Sequence, residues 1–137
     1  MDTNLFPYEI VSIEGQRYEG EASLINLKLS DGEIGIMKDH LPLVGIIAIS
    51  HLTCIKNKEQ KIFAISGGIL NVTKKKVSIL ADAFEAKEEI DVNRAEQSKK
   101  RADERIKNAL NDPNIDIKRA EASLNRALNR LEIASMK

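Results

Sequence analysis

Up to about Asp82 the apolar residues recur with a period of two, in runs too short for helices: Tyr8 and Ile10, then Ile25, Leu27 and Leu29, Leu52 and Cys54, Ile62 and Ala64, Val77 and Ile79. Successive side chains of an extended backbone point to opposite faces, so each run predicts a strand with one buried side. Turn-forming pairs stand between the runs: Glu14-Gly15, Asp31-Gly32, Asn57-Lys58, Gly67-Gly68 and Lys74-Lys75. Glycine supplies the positive φ of tight hairpins, and Gly67-Gly68 is read on that ground as a hairpin turn. Short strands between close turns predict an antiparallel β-sandwich or flattened barrel of roughly eight to ten strands.

From Glu85 onward the period lengthens. Val92, Ala95, Ala102, Ile106, Ala109 and Leu110 fall at helical spacing, and so do Ile117, Ala120, Leu124, Ala127, Leu128, Leu131 and Ala134. No glycine follows Gly68, and the break comes at Asn111-Asp112-Pro113-Asn114. Two helices of roughly 20 residues, each about 30 Å long, joined by so short a turn must lie antiparallel. The predicted architecture is an all-β domain over residues 1–84 and an α-helical hairpin over residues 85–137.

The helical part repeats itself. Ile90–Ala109 laid over Ile115–Ala134 gives ten identities in twenty, beginning with IDVNRAE against IDIKRAE. Asp91 and Asp116 suit helix N-caps, Ile90 and Ile115 suit a hydrophobic staple, and alanine every seven residues makes a packing seam. Those roles leave the arginines unexplained. Arg94, Arg101 and Arg105 share their offsets with Arg119, Arg126 and Arg130. Each trio lies roughly 100° from the alanine seam, and the approximate two-fold axis of an antiparallel pair brings both rows out on one side. Guanidinium forks gathered on one face suit phosphate oxygens or carboxylates. The bland alternative is a solvated face laced by Asp103, Glu104 and Glu132. A seam of alanine buries little area, and a hairpin of this size is below the roughly 70 to 80 residues that usually stand alone, so it should switch between states or require a partner.

Charge sharpens this picture. Six of the seven arginines lie after residue 90, yet the net charge is zero, which argues against a nonspecific nucleic-acid binder. The lone Cys54 has no internal disulfide partner and the N-terminus lacks a signal-peptide pattern, so a cytoplasm-facing protein is expected. The run LPLVGIIAI is too short, and too broken by Pro42 and Gly45, to cross a bilayer. His40 and His51 stand apart and are read as turn or strand residues, Cys54 as a small buried hydrophobe.

Several stretches carry a resemblance: Gly32-Glu33-Ile34-Gly35-Ile36 with His40 and Pro42-Leu43-Val44, then Ser66-Gly67-Gly68-Ile69-Leu70-Asn71-Val72, Ile79-Leu80-Ala81-Asp82, and the paired helices ending Leu131 to Lys137. Over essentially its whole length the chain resembles the epsilon subunit of the bacterial F-type ATP synthase, of the ATP-binding type. One departure is Met37-Lys38-Asp39, where the family usually has Leu-Pro-Gly, which puts the shape of the turn before His40 in question. The resemblance implies a ten-stranded sandwich docking on the gamma subunit and the c-ring, as part of the rotor's central stalk. It implies peripheral attachment at the cytoplasmic face of the bacterial plasma membrane, and no catalytic group. It further implies a hairpin that permits ATP hydrolysis when folded and inhibits it when extended, with Arg119, Arg126 and Arg130 then facing the catalytic beta (and alpha) subunits.

Some members bind ATP through an Ile/Leu-Asp-x-x-Arg-Ala motif, which Ile90-Asp91-Val92-Asn93-Arg94-Ala95 resembles. By that resemblance the ATP-contacting residues are Glu85, Ile90, Asp91, Arg94, Ala95, Arg101, Arg126 and Arg130, with ATP an allosteric ligand, no cofactor required and no metal site. The second copy, beginning at Ile115, is taken as a helix start. A stand-alone scaffold whose basic hairpin grips an acidic protein is the alternative. An enzyme finds least support, since no Ser/His/Asp grouping, P-loop or Cys/His metal spacing occurs.

Overall fold

A computed structural model of the chain describes residues 4–136. Met1, Asp2, Thr3 and Lys137 lie outside them; the last of these closes the Leu131–Lys137 stretch of the family resemblance. The elements are β1 (Phe6–Ser12), β2 (Arg17–Ala22), β3 (Leu24–Leu29), β4 (Gly32–Ile36), β5 (Leu43–Lys56), β6 (Glu59–Val72), β7 (Val77–Ala81), β8 (Phe84–Ala86), a 3-10 turn (Lys87–Glu89), α1 (Val92–Asn108) and α2 (Ile117–Ala134). The chain divides into two compact units, with the division after Lys87 rather than after residue 84, because β8 still pairs with β6.

The strands of the first unit join in one sheet, in the order β2-β1-β7-β6-β5-β3-β4, with β8 added to β6. Tyr18 of β2 nonetheless meets Phe63 of β6 at 5.0 Å between ring centroids, although two strands separate them in that order. Lys61 Nζ of β6 also lies 4.6 Å over the Tyr18 ring. The sheet therefore curls over its own core, a flattened barrel. Its interior holds Ile10, Ile25, Ile36, Leu52, Phe63, Ile65, Leu70 and Ile79, each fully buried. At about 1.5–3 kcal/mol for each such side chain, this is where the first unit gets its stability. Cys54 is buried there too, and burial pushes its thiol up to about 12, so it stays protonated and inert.

Two details correct the sequence reading, while its strand count stands: eight strands form among the described residues, within the eight to ten expected from the turn spacing, because β5 and β6 each run for 14 residues. Each serves both halves of the barrel: β6 pairs with β8 through Phe63–Ile65 and with β7 through Gly68–Val72. Gly67-Gly68 is not a hairpin turn; it sits inside β6 where that strand changes partner. Gly68 has φ +151, and a Cβ there would strike the Leu80 carbonyl oxygen and come within 2.9 Å of Ala81 Cα. Glycine lets the neighbouring backbone approach and the long strand bend. Finally, β1 and β7 are parallel within an otherwise antiparallel sheet. No hairpin joins them, so nothing local dictates their relative direction.

The other turns follow the sequence. Asn57 and Lys58 close the β5–β6 hairpin with φ +52 and +67, the geometry of a two-residue type I′ turn. In Met37-Lys38-Asp39, Asp39 adopts φ +65 and His40 N–H donates to the Met37 carbonyl at 3.2 Å. Aspartate thus takes the left-handed position that glycine would otherwise fill.

Candidate functional site

Both helices start as their sequences require. The Asp91 carboxylate accepts from the Arg94 backbone N–H at 3.1 Å, and Asp116 accepts from Arg119 N–H at the same distance. Each cap satisfies a donor that the first turn leaves unpaired. Between the helices Asn114 N–H donates to Asp112 Oδ1 at 2.9 Å, and Pro113 removes a donor that a continuing helix needs. The helices observed are 17 and 18 residues long, a little under the expected 20.

Their buried residues are Ala95 and Ala102 on α1, and Ala120, Ala127 and Ile133 on α2. Four of the six alanines spaced by seven form the expected seam, while Ala109 and Ala134, at the helix ends, are only partly buried. Ile133 was not anticipated, and its neighbourhood in sequence gives no sign of it. By contrast Val92, Leu110, Ile117 and Leu128 remain exposed. The apolar stripe of the hairpin is therefore wider than the contact it makes.

Beside the seam an open cleft of about 290 Å³ is lined by Ser98, Arg101, Ala102 and Arg105 of α1 and by Ser123, Arg126 and Arg130 of α2. Arg101 Nη2 donates to Ser98 Oγ at 3.3 Å, and Arg126 Nη2 donates to Ser123 Oγ at 3.2 Å. A shift of 25 residues carries one set onto the other: Ser98 onto Ser123, Arg101 onto Arg126, Arg105 onto Arg130. The cleft thus straddles the approximate two-fold axis of the hairpin. Among the described residues no acidic side chain lines it, and four guanidiniums converge there. Such a site favours a multiply charged anion, with planar forks matched to phosphate oxygens.

Of the sequence-predicted site residues, Arg101, Arg126 and Arg130 come together in this cleft. Ile90, Asp91, Arg94 and Ala95 instead occupy the start of α1 and do not line it. Asp91 is engaged as the cap, Arg94 is exposed and Ala95 is buried in the seam. Glu85 lies on β8 in the first unit, half-buried. Arg105 joins Arg101, Arg126 and Arg130 from the arginine row of α1, and Ser98 and Ser123, which the spacing argument does not use, are themselves among the ten identities of the repeat. Catalytic groups are scarce in the hairpin, which carries no histidine or cysteine. Among the described residues no group of three or more His, Cys, Asp or Glu could hold a metal ion, and no helix is long and apolar enough to cross a membrane.

The sandwich offers a different surface. Ile69 of β6 pairs across strands with Ile46 of β5 and with Leu80 of β7, all three are exposed, and exposed Val44 lies two residues before Ile46. This apolar row runs across three strands on the outer face of the sheet, where alternation would normally place polar residues.

Residues 5–87 match the family model of the ATP synthase Delta/Epsilon chain beta-sandwich domain, and residues 88–135 match that of its long alpha-helix domain. The chain is 41% identical over 125 residues to the ATP synthase epsilon chain of Halalkalibacterium halodurans, covering 91% of this chain and 93% of that one. It is 41% identical over 135 residues to the ATP synthase epsilon chain of Ligilactobacillus salivarius, covering 97% of each. A chain in the cryo-EM structure of Euglena gracilis mitochondrial ATP synthase, OSCP/F1/c-ring, shares the fold with a TM-score of 0.77 at 20% identity, over 94% of this chain and 80% of that one.

Proposed function

Since the chain belongs to the ATP synthase epsilon-chain family and is a non-catalytic, peripheral subunit of that enzyme's central stalk, we propose that its hairpin senses ATP and regulates hydrolysis while its sandwich docks the subunit to the rotor. The sandwich carries the docking role through the exposed Ile46–Ile69–Leu80 row, which suits an apolar surface on the gamma subunit, with the c-ring as the other neighbour. The hairpin acts as a two-state element. Closed, it permits ATP hydrolysis; separated and extended toward the catalytic beta and alpha subunits, it inhibits, and Arg119, Arg126 and Arg130 then meet acidic side chains.

The observation that carries the ATP reading is the cleft itself, where arginines from both helices converge over a seam of alanine. A phosphate chain contacting both rows exists as a bound species only while the helices are paired. ATP therefore favours the closed form by its affinity difference between the two states. At a free concentration 100 times its dissociation constant it contributes about 2.7 kcal/mol, comparable to what burying a few alanine methyls supplies. Ile90, Asp91 and Arg94, at the start of α1, belong to the same reading as contacts for the rest of the nucleotide. ATP is a ligand here and is not turned over.

Isothermal titration of the purified full chain with ATP tests this, with an Arg126→Ala, Arg130→Ala variant alongside. One site per chain, lost in the variant, supports the reading. Equal behaviour of the two proteins removes ATP from it. In the assembled synthase, deletion of everything after Lys87 should abolish the dependence of hydrolysis on ATP preincubation; unchanged dependence refutes the regulatory role.

A further inference from the structure

The walls of the arginine cleft hold four guanidiniums, two hydroxyls and one methyl group. Nothing among them recognises a nucleobase: the last aromatic residue of the chain is Phe84, so the hairpin has no ring face on which a base could stack. At about 290 Å³ the cleft is also at the small end of ligand cavities, which run from about 300 to 1,000 Å³. It accommodates the charged portion of a nucleotide more readily than the whole. Arg101 and Arg105, one turn apart on α1, have Cβ atoms on the order of 6 Å apart, a span that one short phosphate chain can meet at both ends. Arg126 and Arg130 repeat that pair on α2.

The second element is symmetry. Ser98 with Arg101 and Ser123 with Arg126 make the same hydrogen bond at 3.3 and 3.2 Å, on opposite sides of the approximate two-fold axis. A site built this way presents matching donors in both directions. ATP, with a nucleoside at one end only, cannot use that symmetry; a linear inorganic polyphosphate can.

From this we infer that the cleft is a phosphate-chain site in its own right, and that inorganic triphosphate binds there without any nucleoside. The inference rests on the same cleft as the ATP reading and assigns the ligand class: a linear polyphosphate is sufficient, and base selectivity has to come from residues outside the cleft. A consequence is that the closed hairpin responds to inorganic polyphosphate as well as to ATP, each ligand excluding the other.

The test is titration calorimetry of the full chain with sodium tripolyphosphate at low salt, followed by the same titration in the presence of ATP. One site per chain is expected, with the apparent ATP affinity falling as tripolyphosphate is added. Arg126→Ala with Arg130→Ala, and separately Arg101→Ala with Arg105→Ala, should each weaken tripolyphosphate at least about tenfold, since charge-assisted bonds are lost. Lys107→Ala with Lys118→Ala removes as much charge from exposed positions of the two helices and should change it less than about twofold. If the lysine pair weakens binding as much as the arginine pairs do, diffuse charge is responsible and the inference is wrong. ATP binding without tripolyphosphate binding also overturns it, while leaving the ATP reading standing. If neither ligand binds, both fall.

Discussion

Ala127→Leu tests whether the alanine seam sets the balance of the hairpin. Ala127 is 1% exposed and lies on α2 between the cleft residues Arg126 and Arg130. Leucine adds three carbons at a contact where the helices approach closely, and overpacking of that kind costs about 1–3 kcal/mol. The cost falls on the closed pair alone. Leucine is nearly as good a helix former as alanine, so a separated α2 is scarcely affected. The ratio of closed to open hairpin should therefore fall by about 5- to 150-fold. If ATP binds only the closed form, its apparent dissociation constant rises by up to the same factor, because affinity scales with the competent fraction. Calorimetry with ATP reads that rise, and circular dichroism at the helical band reads a lower melting temperature of the hairpin. Asn125→Leu places the same side chain at an exposed position of α2 and should leave both nearly unchanged. Undiminished ATP affinity and an unshifted melt in Ala127→Leu would show that the seam has room for leucine, and would refute the weak-joint argument.

Two further outcomes concern the sandwich. Gly68→Ala should destabilise it by roughly 3 kcal/mol or more, since the new methyl meets backbone atoms of β7 and φ is +151; a urea midpoint within error of the parent would mean β6 bends some other way. Glu9 accepts hydrogen bonds from Lys76 Nζ at 2.8 Å, Arg17 Nη2 at 2.7 Å and Ser78 Oγ at 3.2 Å, and the Lys76 contact above all holds its carboxyl below the usual range. A depressed folded-state value means stability that is present above the unfolded carboxylate pKa, roughly 4.3, and lost as pH falls through the lower folded value. Glu9→Gln should therefore cost less than about 1 kcal/mol at neutral pH, because Arg17 and Lys76 are largely solvated, and should flatten the acid limb of a stability-against-pH curve. An acid limb of unchanged slope refutes the linkage.

Local chemistry was legible in the letters of the chain. The period of two gave strands, Asn57-Lys58 gave a turn, Asp91 and Asp116 gave caps, and the 25-residue repeat gave an alanine seam flanked by arginines from both helices. Each of these depends on a residue and its near neighbours, so spacing alone carries it. Function at the level of the family followed from the same stretches, because together they are specific. Partnerships between distant segments were another matter. Glycine at positions 67 and 68 announces unusual backbone but not whether the chain turns back or bends and runs on; the neighbour that decides is β7, a separate stretch of the chain pressed against it. The parallel pairing of β1 with β7 and the burial of Ile133 are likewise invisible to periodicity. So is the convergence of Ser98 and Ser123 on one cleft, even though the repeat contained both. Residue type and spacing fix which positions can form each element and which charges line a helix. Tertiary packing alone decided which of those elements meet, because contact between segments far apart in the chain is selected by the core they bury together rather than by anything either segment encodes alone.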